Sequence, residues 1–559
     1  MINKKIFMAL AVLLAFSCSE NKSEERDAGL DSSSIMEAGS DTDNDTDSDT
    51  DADTDSDNDT DSDTDSDSDT DADADADSDV HGVQCIWAKV AGGWGWDSAG
   101  GFSIDSDSSI LIGGTFYDTA TFGDGESNET YLNSGEDREQ IFVAKYESDG
   151  DLEWAKAAGD DYADAGPGCY DGGIITGHSG RDIDGFSDGS SIVTGSFHGE
   201  ATFGIDEAGE KTLYSTGSND NSDIFFAKYN ADGTFSWVKS AGGTESDLGF
   251  QIKVLSDNKF IISGQFKGSA TFGRGETGEK TLGPSGDTSD IFIAKHKPDG
   301  DLIWVSNVEM NDWGHVNGLE VLNNGSVYIT GNYYGTAVFG MDESSETELQ
   351  SQGESDVYIA RYNSDGTFAW AETAGGSGRD ISSDIISLNG DSLIITGKFT
   401  PDATFGGEVL DTGTIFIAQY SSDGTMEWVS GNSGDSNTWV SGISVLPDGD
   451  LIILGTFKDT ARFGIGKSNE TTLLNSGDPE NAFMAGYDSN GDFKWARIAF
   501  YTQNSLMGLV TKDIECLSDG TCIITGGFGE TGVFGPEHAG ERVLYGGDVI
   551  SIVVAKFKP

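Results

Sequence analysis

Short or alternating apolar runs bounded by Gly, Asp and Asn fill the chain from Cys85 to its end, and such runs are strand signals. One unit reads in full: Ile381 to Leu388, a turn at Asn389-Gly390, Ser392 to Phe399, Ala403-Thr-Phe-Gly406, Ile415 to Tyr420, a turn at Asp423-Gly424, and a strand ending near Trp428. Asp-Gly and Asn-Gly pairs between apolar runs make hairpins because Gly tolerates positive φ. The pattern predicts four strands per unit, termed A (Ile-x-x-Leu), B (Ile-Thr-Gly-x-Phe), C (Phe-x-Ala-Lys-Tyr) and D (the Trp strand). The D-strand tryptophans are Trp87, Trp154, Trp237, Trp304, Trp370, Trp428 and Trp495, spaced by 67, 83, 67, 66, 58 and 67 residues, which leaves room for one four-stranded sheet each time.

The phases of the first and last units are complementary. The chain opens on a lone D strand, Cys85 to Ala91, and ends on a lone C strand, Ile552 to Phe557. Pairing the two would complete a seventh blade from both ends and remove the free edges. The expected fold is therefore all-β: a seven-bladed β-propeller of four-stranded blades over residues 81–559, closed by the N-terminal D strand pairing with the C-terminal C strand. The D-strand tryptophans and the Thr-Phe-Gly phenylalanines (Phe122, Phe203, Phe272, Phe339, Phe405, Phe463, Phe534) recur once per blade, as packing between sheets demands, and are assigned to the core.

Strings such as Phe225-Phe-Ala-Lys-Tyr, Ser236-Trp237 followed by Ala241-Gly-Gly243, and Ile394-Ile-Thr-Gly397 resemble the bacterial SBBP-type β-propeller repeat over residues 85–559. The resemblance implies an exported, often surface-attached protein and no single activity.

Lys4 and Lys5, an apolar run from Ile6 to Leu14 and then Ala15-Phe16-Ser17-Cys18 have the layout of an export signal over residues 1–17. The segment resembles the lipobox of bacterial lipoproteins, with Ala15 and Phe16 where Leu and Ala are usual, which implies lipidation of Cys18 and a membrane partner through that anchor; simple secretion is the alternative. Ser19 after the Cys points to the outer membrane or cell surface. Residues 18–40 read as a tether. From Asp41 to Asp79 every odd-numbered residue is Asp, 20 in all, with no Lys or Arg, so residues 41–80 are expected to be a disordered acidic stalk reaching at most about 130 Å. It resembles the Ser-Asp stalks of bacterial surface proteins. Carboxylates are hard ligands for Ca²⁺, but an EF-hand loop needs a Gly and a distal Glu and the stalk has neither, so diffuse counterion uptake is the expectation and no cofactor is assigned.

Residues 80–559 still carry 72 acids against 27 bases, a sign opposite to what phosphate binding requires, so nucleic acid is not an expected partner. No Gly-x-Ser-x-Gly, His-Glu-x-x-His or Cys-x-x-Cys is present. Cys516 and Cys522 flank a three-residue Ser518-Asp519-Gly520 loop and are expected to form a disulfide. The D–A connections are richer in aromatics than a turn requires: Trp94, Trp96, Tyr162, Tyr170, Trp313, Trp439 and Tyr501 fall there, beside Asp97, Asp312 and Asp435. Rings beside carboxylates suit glycans, which stack on one and donate hydrogen bonds to the other. The sequence thus points to a surface lipoprotein whose propeller binds an extracellular polysaccharide or protein. A carbohydrate-active lyase or hydrolase using acids of the same loops, and an envelope component without a ligand, are the alternatives.

Overall fold

The computed structural model describes residues 83–559 apart from 94, 136–137, 160–176, 218–220, 284–285, 287, 391, 435–436, 476–479, 504–507 and 537–539. The leader, Cys18, the tether and the acidic stalk lie outside the described residues. Every element among those described is a strand, and all the strand ladders are antiparallel.

The A–B–C–D order appears in the pairing. Strand Ile381–Leu388 pairs with Ser392–Lys398, that with Ile415–Ser421, and that with Met426–Gly434. The same order recurs from Ser98–Ile104, Ser179–Gly185, Asp247–Val254, Gly314–Val321 and Trp439–Val445. At the C-terminus, Leu509–Cys516 pairs with Cys522–Phe534, which pairs with Arg542–Lys558. The next neighbour of Arg542–Lys558 is the first strand of the chain, Gln84–Gly93, in a register that sets Cys85 against Phe557 and Ala91 against Ile552.

The repeat contains more than four strands. The Thr-Phe-Gly segment between B and C belongs to a two-stranded ribbon, as in Thr119–Phe122 with Thr130–Asn133 or Thr460–Phe463 with Thr471–Leu474. The ribbon takes up the tail of the preceding D strand: Gly92 pairs with Thr121, Gly242 with Thr271, Met310 with Ala337 and Gly434 with Ala461. Each such D strand therefore bonds first to the C strand of its own sheet and then to the ribbon of the next repeat. The ribbon phenylalanines are buried, Phe122 against Phe142 and Phe203 against Phe225.

Apolar packing lies between neighbouring sheets. Ile261, Ile291 and Ile293 meet Val327, Ile329 and Tyr358 of the following repeat, and Ile523, Ile552 and Val554 meet Ile110, Ile112 and Phe142. The D-strand tryptophans are pegs in this contact. Trp154 donates its indole N–H to Ala231 O at 3.1 Å, Trp304 to Ser364 O at 3.2 Å and Trp370 to Ser422 O at 3.2 Å, each acceptor lying in the C–D turn of the following sheet. The turn glycines have positive φ and lie under the rings: a Cβ on Gly233, at φ 78°, would come within 2.6 Å of Trp154. Trp495 has no such turn to cover, because the sheet that follows it takes its C and D strands from opposite ends of the chain.

Candidate functional site

The A strands are the innermost. Ser98–Ile104 lies against Ser179–Gly185, and in the same way Asp247–Val254, Gly314–Val321, Ile381–Leu388, Trp439–Val445 and Leu509–Cys516 each neighbour the next, the last lying against Ser98–Ile104. All seven carry a β-bulge at the same place, for example between Gly180 and Asp182 and between Thr511 and Asp513. A bulge sets two residues of one strand against one of its partner and re-aims the side chains around it. The residue after the next is apolar and buried between sheets in every copy: Phe102, Ile183, Ile252, Leu319, Ile385, Ile443 and Ile514. By strand alternation the positions on either side of it face away from that packing, into the space between the inner strands.

Those positions, together with the bulged residue before them that the irregularity re-aims, are chemically layered, although Phe250 also packs in part against the apolar core. The bulged residues are Gly100, Arg181, Phe250, Asn317, Ser383, Ser441 and Lys512, with no acid among them. One residue on stand Gly101, Asp182, Gln251, Gly318, Asp384, Gly442 and Asp513, and two further on Ser103, Asp184, Lys253, Glu320, Ile386, Ser444 and Glu515. The glycines make room for the acids beside them: a Cβ on Gly101 would lie 2.1 Å from Asp182 Oδ1, and one on Gly442 2.5 Å from Asp513 Oδ1.

Several acids tie one inner strand to the next. Asp182 accepts from Ile252 N at 2.8 Å, Asp184 from Val254 N at 2.6 Å, Asp384 from Ile443 N at 3.0 Å and Glu515 from Ile104 N at 3.1 Å. These bonds satisfy edge N–H groups that no further strand covers. Among the described residues Asp513 receives only the N–H of its own neighbour Ile514, at 2.7 Å. Enclosure by protein pushes Asp182 up to about 7, with Asp184 adding to the rise and the two backbone donors opposing it. Glu515 is pushed to about 7 by the same enclosure, which Lys253 offsets. Asp513 rises well above the carboxylate range, through enclosure first and then repulsion from Asp384, Glu515 and Asp182. Lys253 is held in its charged form by Asp184, Glu320, Glu515 and Asp182 around it. The carboxylates thus converge from different repeats on one space.

The D–A connections open beside the bulged level. Asp97 is buried and committed to the backbone: its Oδ2 accepts from Gly93 N at 2.9 Å and its Oδ1 from Tyr117 N at 3.1 Å. Asp247 and Asp380 do the same for Gly243 and Lys267 and for Gly376 and Thr400. The Gly-x-x-x-Asp spacing that includes Asp97 therefore shapes the turn, leaving no free carboxylate for a ligand. Burial raises Asp97 to about 7 and Asp247 to about 8. Tyr501 lies within strand Phe493–Gln503, paired with Asn481 and Val533, outside any loop. Trp439 opens its A strand, its ring covered by the Lys398 ammonium at 3.9 Å. Trp96 is half-buried, whereas Asp312 and Trp313 are exposed, the latter by 59%. Trp94, Tyr162, Tyr170 and Asp435 lie outside the described residues.

Trp313 leads inward. Its ring centroid is 6.2 Å from that of His315, His315 is 6.5 Å from Phe250, and the Arg181 guanidinium lies 5.9 Å from the Phe250 centroid. Rings and a cation from three repeats thus run from an exposed loop to the bulged level of the inner strands. Cys516 and Cys522 stand opposite each other in the last A–B hairpin as a disulfide, with Cα atoms 3.9 Å apart. No group of three or more His, Cys, Asp or Glu with metal-holding geometry occurs among the described residues.

No protein-family profile matches the chain. In sequence it is similar to an uncharacterized WD repeat-containing protein of Acanthamoeba polyphaga mimivirus, 23% identical over 385 residues, which is 57% of this chain and 27% of that protein. The chain therefore spans about a quarter of the length of the curated relative it matches. Among solved structures, that of Sqt1 from Chaetomium thermophilum covers 84% of this chain and 98% of its own at 8% identity, with a TM-score of 0.32. The repeated antiparallel sheets and the sequence relation to a WD repeat protein make residues 83–559 a repeat β-propeller.

Proposed function

We propose that this chain is an exported binding module: a seven-bladed propeller, closed by its first and last strands, whose D–A face engages an extracellular glycan or protein around the mouth of an axial channel. The observation that carries it is the run from exposed Trp313 through His315 and Phe250 to Arg181, because an accessible ring continued by rings and a cation is the usual anchor of a binding surface. Closure is supported by the pairing of Gln84–Gly93 with Arg542–Lys558 and by the unbroken cycle of A-strand neighbours. Lipidation at Cys18 and display on the acidic stalk belong to the same reading and rest on the leader and stalk sequences. Glycan-array and protein-array binding by the full chain tests it: Trp313→Ala should remove the signal, and an unaltered signal would exclude this face. For the anchor, Cys18→Ala should move the protein from the detergent phase to the aqueous phase.

The convergence of Asp182, Asp384 and Asp513 favours a second reading, a glycan-cleaving enzyme, since raised carboxyl groups facing one another suit acid–base work. Asp182 and Asp384 are occupied by backbone N–H groups of neighbouring strands, and among the described residues Asp513 has no such donor. Cleavage of any array glycan, lost in Asp513→Asn, would establish this second reading over the first.

A further inference from the structure

Arg181 and Lys512 are the two cations of the bulged level, on A strands that both flank Ser98–Ile104. Between them that strand places Gly100, where no side chain fits: a Cβ there would lie 2.5 Å from Gly180 O and 2.7 Å from Arg181 O. The two cations therefore stand on either side of a position with nothing in it but backbone, Arg181 exposed and Lys512 half-buried. Among the described residues neither makes a hydrogen bond or an ion pair; Arg181 has the Phe250 ring and the more distant, half-buried Glu139 carboxyl, and Lys512 has Arg181 as its charged neighbour. Neighbouring like charges that no hydrogen-bonded carboxylate joins repel each other, and an anion placed between them relieves that repulsion. In agreement with this, enclosure and then Arg181 pull the Lys512 ammonium down to about 8. The carboxylates of the next level, Asp182 and Asp513, are turned to other partners, the first to Ile252 and Ile183 and the second to Ile514.

We propose that Arg181 and Lys512 bind the carboxylate of an acidic sugar at the end of an otherwise neutral glycan, whose remaining rings lie along Phe250, His315 and Trp313. This rests on the reading of the D–A face as the binding surface and adds the ligand's chemical class. Arg offers a fork matched to a carboxylate and Lys a second point charge, while the aromatic run continues outward at ring-stacking intervals. The surrounding surface decides between a terminal acid and a polyanion. With 72 acids against 27 bases over residues 80–559, a chain charged at every unit is repelled everywhere except at this point, whereas a single terminal carboxylate is repelled nowhere else.

The test is titration calorimetry of the full chain with sialyllactose and a glucuronate-terminated disaccharide, with lactose and sodium sulfate as controls. At least one acidic sugar should bind at least tenfold more tightly than lactose, and its affinity should fall at least tenfold in Arg181→Ala and in Lys512→Gln, both with unchanged circular dichroism and melting. Gly100→Ala, which intrudes between the cations from the backbone, is a variant that removes neither charge and should weaken binding as well. Equal binding of lactose, retention of affinity in both charge variants, or sulfate binding as tightly as the sugars would each overturn the assignment. If neither acidic sugar binds but a neutral glycan or a protein does so through Trp313, the face is a binding surface and this ligand class is wrong.

Discussion

The outer and inner strands of this protein repeat in different ways. On the D strands the side chain repeats: a tryptophan returns in each copy, and six of the seven rings lie over a C–D turn glycine of the next sheet. On the A strands the backbone repeats and the side chains do not: the bulge occurs in all seven, but its residue is in turn Gly, Arg, Phe, Asn, Ser, Ser and Lys. A residue held constant across copies answers a need common to all of them, which is packing. A constant geometry with changing occupants leaves each copy free to contribute something different to a shared space.

The comparison can be broken most severely at the seam. Deleting residues 84–93 exposes one edge of Arg542–Lys558 and should abolish cooperative melting and produce aggregation by light scattering, whereas deleting residues 41–80 should leave the melting curve unchanged. Next in size, Trp154→Ala should cost about 3–5 kcal/mol in urea titration, as expected for a buried ring that also loses its hydrogen bond to Ala231. Trp495→Ala, at the one peg without a turn to cover, should cost about half as much. Equal costs would mean that the turn contributes little to the peg.

A third effect belongs to the inner region and to the turn aspartates. Asp97, Asp182, Asp247 and Glu515 hold protons in the folded state up to about 7, 7, 8 and 7, whereas unfolded carboxyl groups titrate near pH 4. Between these limits the folded state binds more protons than the unfolded one, so their stabilising contribution is full below about pH 4 and is lost as pH rises toward 8. The melting temperature should therefore fall by several degrees between pH 5 and 8, on the order of what a few kcal/mol produces in a large domain. Asp513→Asn should flatten that slope by removing a carboxyl that enclosure and the neighbouring Asp384, Glu515 and Asp182 hold well above the ordinary range. A melting temperature that rises over this range would show that these groups ionise freely in the folded protein. The smallest effect is expected at the exposed loop: Trp313→Ala should change stability by less than about 0.5 kcal/mol, because its ring is mostly in solvent.

The strand order A–B–C–D, the Asp-Gly hairpins and the complementary phase of the first and last strands are legible in the sequence because they depend on short-range pattern and on glycine. The ribbon between B and C is not, since Ala-Thr-Phe is too short a run to announce a strand and takes its partner from the preceding repeat. The bulge leaves no mark either, because Gly100, Arg181, Phe250 and Lys512 have no property in common. A signal does exist in Arg181-Asp-Ile-Asp184 and Lys512-Asp-Ile-Glu515, where charges flank an isoleucine in strands that have no outer face to offer them. Among the loop residues, Trp313 is where its loop position suggests, while Asp97 serves its own turn and Tyr501 continues a strand, outcomes decided by local hydrogen bonding that composition does not report.

The pairing of Gln84–Gly93 with Arg542–Lys558 also fixes how the domain responds to tension. The strand begins at the point where the N-terminal segment joins the domain and ends at the D–A face. A molecule held by its N-terminus and tugged at that face is loaded along this strand's own axis, in shear. The ladder partners from Gln84 with Lys558 to Ala91 with Ile552 then share the load and must fail together, where a peeling geometry would part them one by one. The seam that joins the two chain ends is, in this direction of pull, a mechanical clamp.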